Sequence, residues 1–89
     1  MNSPREIFLK QLGGRISRLR EAEGWSRPAL GVRLGVGRHC VGRWERGERR
    51  PPLQFLLRMA VMFGTSIHEL MDLPGSMTAL EEEMKGEAV

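Results

Sequence analysis

Ser26-Arg27-Pro28-Ala29-Leu30-Gly31-Val32-Arg33-Leu34-Gly35-Val36-Gly37-Arg38-His39-Cys40-Val41-Gly42-Arg43-Trp44-Glu45-Arg46-Gly47 contains two short helical patterns separated by a glycine-bearing break. Ser26 is suited to accept a hydrogen bond from an early backbone N–H. Pro28 falls in the first turn, where its missing donor leaves no bond unmade. Leu30 and Leu34 are four apart and mark the buried face of this first helix. In Leu34-Gly35-Val36-Gly37 a glycine is available for the positive φ that a tight turn between helices needs, with Val36 beside it as an apolar plug. A second helix is predicted from about Gly37 to Arg46, stopped by Gly47. Val41 and Trp44 point inward at i, i+3, which puts Arg38, His39, Gly42 and Arg43 on the opposite, exposed face.

Toward the N-terminus, Ser3-Pro4-Arg5-Glu6 is a capping-box start. Phe8, Leu12, Ile16 and Leu19 follow on one helical face, and Gly24 stands where a helix ends. Gly13-Gly14 is the weak point of this segment, at about 1 kcal/mol per glycine relative to alanine, and it predicts a divided helix with fraying before it. Toward the C-terminus, Arg49-Arg50-Pro51-Pro52 reads as an extended basic connector, since a residue before proline avoids the α region. Leu53, Leu56, Leu57, Ala60, Val61 and Phe63 then recur at helical spacing up to Gly64, and Ser66-Ile67-His68-Glu69 opens a short helix burying Ile67, Leu70 and Met71. After Pro74-Gly75, Met77, Leu80 and Met84 lie at i, i+3, i+7 in an acidic stretch. It reads either as a short sixth amphipathic helix or as an acidic tail. The fold class expected is all-α: five helices, with that possible sixth. The division expected is an N-terminal helix extension over 1–11, a central helical unit over 12–73 and an acidic amphipathic tail over 74–89.

The chain has 89 residues, with 14 Lys+Arg against 11 Asp+Glu. At this size roughly 60% of the unfolded surface can be buried, which suits one core and excludes a multidomain enzyme. The net charge of +3 conceals a polarity. Residues 1–58 hold 13 basic and 5 acidic residues, whereas residues 59–89 hold 1 basic and 6 acidic. Twelve of the bases are Arg, whose planar fork matches phosphate and guanine edges. A basic segment can also be a merely solvated face, so position has to decide. No apolar run approaches the ~20 residues that span a bilayer, and no apolar signal region opens the chain, so a cytoplasmic location and no membrane contact are expected. A single cysteine, Cys40, and two distant histidines offer no disulfide, no metal-ligand spacing and no catalytic constellation. No catalytic residue, metal or cofactor is expected.

From Leu12 to Met71 the chain resembles the phage repressor and Cro type of helix-turn-helix, the Xre family. The residues that carry the resemblance are Arg20, Gly24, Ser26, Leu30, Leu34-Gly35-Val36, Trp44-Glu45-Arg46-Gly47, Pro51, Leu56, Ala60, Gly64 and Leu70. The resemblance implies that the helix from Gly37 to Arg46 lies in the major groove of double-stranded DNA. It puts Gly37, Arg38, His39 and Arg43 at the base-reading positions, where Arg38 and Arg43 could each fork onto a guanine. For His39 it leaves base, phosphate and solvent open. It assigns Ser26, Arg27, Arg46, Arg49 and Arg50 to the phosphates, and Arg20 with Glu45 to a structural ion pair whose alternative is two exposed side chains. The chain departs from the pattern at Arg27, where Gln is usual, and at Gly37-Arg38, where Ser or Thr caps the recognition helix. It also departs at Gly42, where some relatives make a contact, and at Pro52, where Ser often caps the next helix.

What the resemblance implies for function is a sequence-specific transcriptional regulator, in the first instance a repressor acting as a homodimer on a pseudo-palindromic operator. One recognition helix reads only a few base pairs, so two half-sites roughly 10 bp apart are needed. Met77, Leu80 and Met84 are the candidate dimer or partner residues. The alternative is an antitoxin that binds a partner toxin through its C-terminal part and autoregulates its promoter; an anti-repressor is another conceivable protein partner. A non-specific architectural protein would instead show sequence-independent affinity with a steep salt slope. Trp25 and Trp44 read as packing residues rather than stacking platforms, and Cys40 as a small apolar filler.

Overall fold

The computed structural model describes residues 3–72. Five helices and no strand occur among them: α1 (Pro4–Ala22), α2 (Arg27–Leu34), α3 (Arg38–Glu45), α4 (Leu53–Met62) and α5 (Ile67–Met71). None is long and apolar enough to cross a membrane. The expected sixth helix, with Met77, Leu80 and Met84, lies outside the described residues.

Each start is set locally. The Ser3, Ser26 and Ser66 hydroxyls accept from the backbone N–H groups of Glu6, Ala29 and Glu69, satisfying one orphan donor apiece. Helices α3 and α4 begin at Gly37 and Pro52, which offer no such side chain. Between α2 and α3 the chain reverses at Gly35, whose φ of 76° an L side chain rarely adopts. The amide of Val36 then donates back to the Gly31 carbonyl at 2.8 Å.

Leu12 and Ile16 of α1, Leu30 and Leu34 of α2, Val41 and Trp44 of α3, Leu56, Met59 and Ala60 of α4 and Leu70 of α5 form one core. Helix α3 packs against both α1 and α2, while α5 closes the bottom against α1 and α4. Trp44 is buried beside Phe55 at a ring separation of 5.4 Å, and half-buried Trp25 lies 5.9 Å from Phe63.

One expectation fails here. The Gly13-Gly14 pair does not divide α1, which runs unbroken from Pro4 to Ala22. Gly13 is buried where α1 crosses the end of α3. A Cβ there would meet the carbonyl oxygen of Trp44 and, at 2.5 Å, that of Glu45. The weak helix former is therefore where tertiary packing is tightest, and the packing outweighs its propensity cost. On α4 helical spacing leaves the buried stripe open: of the apolar residues, Leu53, Leu57 and Val61 face solvent, and only Leu56, Met59 and Ala60 of this helix are buried. A helix apolar around most of its circumference does not announce which stripe its neighbours will cover.

The glycine pair gives a prediction with an internal control. Gly13→Ala is expected to cost about 1–3 kcal/mol, because backbone atoms rather than a flexible side chain must give way. Gly14→Ala, where a Cβ would meet only the end of the Arg18 side chain one turn on, at 3.8 Å, should gain up to about 1 kcal/mol from helix propensity. Urea unfolding of both variants checks this; equal gains would mean that α1 and α3 do not approach as described.

Candidate nucleic-acid interface

Val41 and Trp44 anchor α3 in the core, and the helical period then fixes what its other side presents. Gly37, Arg38, His39 and Arg43 are all exposed. Gly42 is not: expected on the open face, it is buried. A Cβ there would lie 2.9 Å from the Arg46 guanidinium, which folds back over the glycine. No acidic residue stands in the first turn of α3, so the positive end of its dipole is unopposed there.

Two shallow grooves flank this face. On one side Arg38, His39, Gly42 and Arg46 of the α3 region meet Ser26 and Arg27 at the start of α2. On the other, His39 and Arg43 meet Arg49 and Arg50 of the connector. The candidate base-reading and phosphate positions are thus brought together on one surface, with His39 bordering both grooves. The Ser26 oxygen is occupied as a cap, although its hydroxyl can still donate. Arg46 is already engaged, since its Nε and Nη2 donate to Glu48 at 3.1 and 3.0 Å. Both side chains of that pair are about half exposed, so a phosphate would compete with Glu48 for the guanidinium. The hydrogen bond from Arg46 holds the Glu48 carboxyl below its usual range.

Beneath this surface lies an ionic node. Arg20 and Glu45 are both 8% exposed, and the Nε and Nη2 of Arg20 donate to the two Glu45 oxygens at 2.6 and 3.1 Å. The remaining Arg20 fork donates to the carbonyl of Trp25 at 2.7 Å. The node therefore ties the end of α1, the α1–α2 turn and the end of α3. Arg27 joins it, its Nε donating to Glu45 Oε1 at 2.9 Å while its side chain stays 49% exposed. Arg27 also lines the groove beside α3. Sequence reasoning places Arg27 among the phosphate-binding residues without foreseeing its bond to Glu45, for no spacing rule links residues 18 apart. Nor does it single out Arg15, whose guanidinium donates to the carbonyls of Glu69 and Asp72 at 2.9 and 3.1 Å. Arg15 thereby caps the end of α5 from α1.

Burial pushes the Glu45 carboxyl up, but the hydrogen bonds and charges of Arg20 and Arg27 outweigh it and hold the group below the ordinary glutamate range. The hydrogen bond to Glu45 in turn raises Arg20. A carboxyl lowered by folding contributes stability that is complete above its unfolded value, about 4.3, and is lost as pH falls through its folded value. The difference in melting temperature between the wild type and Glu45→Gln should accordingly be constant above about pH 5 and shrink below about pH 4. Parallel melting curves through that acid range would assign the ionic contribution elsewhere.

The sequence matches a family model described as a helix-turn-helix domain over residues 11–73. It is 33% identical over 57 residues to the HTH-type transcriptional regulator AnsR of Bacillus subtilis, covering 64% of this chain and 49% of that one. The chain spans about half or less of the length of the curated relatives it matches. Among solved structures, the restriction-modification controller protein C.AhdI of Aeromonas hydrophila is similar at 35% identity and a TM-score of 0.64, covering 70% of this chain and 94% of that one. SinR, a master regulator for biofilm formation solved in complex with DNA, is similar at 31% identity and a TM-score of 0.62, covering 68% and 98%.

Proposed function

Because the chain belongs to the helix-turn-helix domain family, in its phage repressor and Cro (Xre) form, we propose that it is a sequence-specific regulator of transcription that binds double-stranded DNA with α3 in the major groove. The observation that carries this reading is the single surface on which Arg38, His39 and Arg43 stand exposed on α3 between Ser26 and Arg27 on one side and Arg49 and Arg50 on the other. Side chains on the groove-facing helix read base edges, and Arg38 and Arg43 have the bidentate fork for the O6 and N7 of guanine. The flanking Ser26, Arg27, Arg46, Arg49 and Arg50 bind phosphates and set register without reading sequence. Arg20 and Glu45 hold α3 at its angle to α1 and α2 and touch no DNA.

One such helix discriminates only a few base pairs, so the regulator acts as a homodimer on a pseudo-palindromic operator with half-sites about one turn apart. Occupancy of that operator represses by excluding polymerase. The test is selection of bound duplexes from a random pool at fixed physiological salt, with sedimentation of the recovered complex. An inverted repeat carrying two copies is the expected result. A pool that stays random, with binding abolished at modest salt, would refute sequence-specific recognition.

A further inference from the structure

The row Leu53, Leu57 and Val61 on α4 faces solvent with exposures of 65%, 47% and 81%. Leu57, Val61 and Met62 floor an open groove of about 440 Å3, with Arg33 of α2 and Arg58 of α4 at its rims. Among the described residues neither rim guanidinium meets a carboxylate. Arg33 lies 4.2 Å over the Trp25 ring and donates to the Ala29 carbonyl. Arg58 donates to the Leu34 carbonyl and sits 5.9 Å from the Phe55 ring. Both charges are thus positioned by neutral partners. The groove shares no lining residue with the two beside α3, so an occupant leaves the DNA face clear.

Residues 73–89 carry the matching chemistry. Met77, Leu80 and Met84 would line one side of a helix, and Glu81, Glu82, Glu83 and Glu87 supply negative charge. Methionine packs adaptably against an irregular apolar floor, and carboxylates complement arginine rims. A helix over 77–84 would span about 12 Å, and the four residues 73–76 before it extend up to about 14 Å, together enough to cross to an adjoining protomer.

We propose that the groove between α2 and α4 receives residues 73–89 of a second copy of this chain, each protomer lodging its acidic, methionine-bearing segment between Arg33 and Arg58 of the other. The inference rests on the homodimer reading and adds to it the surface that makes the dimer. Exchange around a two-fold axis joins the two copies through a pair of symmetry-related contacts, whereas a segment folded back on its own domain joins none.

The test is sedimentation equilibrium on full-length chains, with melting curves to show that each is folded. Arg33→Glu/Arg58→Glu makes groove and segment both acidic, and Glu81→Arg/Glu82→Arg/Glu83→Arg makes both basic. Each alone should weaken the dimer about tenfold or more. Mixing the two should restore dimers, because each then offers the other an opposite charge, and so should all five substitutions in one chain. A wild-type dimer that survives both reversals unchanged overturns this inference and leaves the homodimer reading standing. A wild type that stays monomeric even on its selected operator overturns both.

Discussion

Glu45→Ala is expected to lower the unfolding free energy by about 3–5 kcal/mol, the largest effect of any single substitution away from the apolar core. The carboxylate is 2% exposed and accepts from two arginines contributed by different parts of the chain. Its removal leaves the buried Arg20 with the Trp25 carbonyl on one edge of its fork and, among the described residues, a 3.5 Å ion pair to the exposed Glu21, and a buried charge so poorly compensated is far more costly than an absent surface pair. For a domain of this size the melting temperature should fall by about 15–30 °C. Two companion variants separate the causes. Arg27→Ala removes a half-exposed partner and should cost no more than about 1 kcal/mol. Replacing both members, as in Arg20→Met with Glu45→Leu, should recover most of the loss, because no charge is then left stranded. A Glu45→Ala protein that melts with the wild type would mean the node carries no structural role.

Arg43→Ala should leave the fold intact and remove sequence preference. The side chain is exposed on α3 and takes no part in the Arg20–Glu45–Arg27 node, so its truncation breaks no packing. Against the selected operator the expected loss is about 1–3 kcal/mol, or about 5- to 150-fold, if the guanidinium forks onto guanine. Against unrelated duplex DNA at the same salt the change should be small. Arg49→Ala supplies the contrast: with one cation fewer on the connector to neutralise a phosphate, binding should weaken on all sequences alike and the salt slope should fall by about one. Binding titrations of both variants on operator and random duplex decide the matter. Equal losses on the two DNAs for Arg43→Ala would move that residue from the base-reading set to the phosphates.

The contrast between Glu45 and Arg43 also shows where the sequence is informative. That Arg38, His39 and Arg43 are exposed follows from two inward residues three apart, Val41 and Trp44, because the helical period leaves no freedom once a face is buried. The same logic fails on α4. Leu53, Leu57 and Val61 and the neighbouring Leu56 and Ala60 form two adjacent apolar stripes, and period alone does not choose between them. Gly42 is misplaced by the pattern for a related reason. A residue without a side chain contributes nothing to an amphipathic stripe, so its burial depends on where Arg46 folds.

Starts, stops and helical faces were determined by the sequence itself: the serine caps at positions 3, 26 and 66, the left-handed Gly35 and the arginine-bearing exposed face of α3. These depend on hydrogen bonds and side-chain directions within about one helical turn, and the residues concerned are neighbours in the chain. Only the tertiary structure decided that Gly13 would be the point of closest approach rather than a break, and that Glu45 would be shared by arginines 25 and 18 residues away. It also decided which stripe of α4 would be left uncovered. Each of these is a distance between elements, set when the helices pack on a common core and not before, and no local periodicity carries that information.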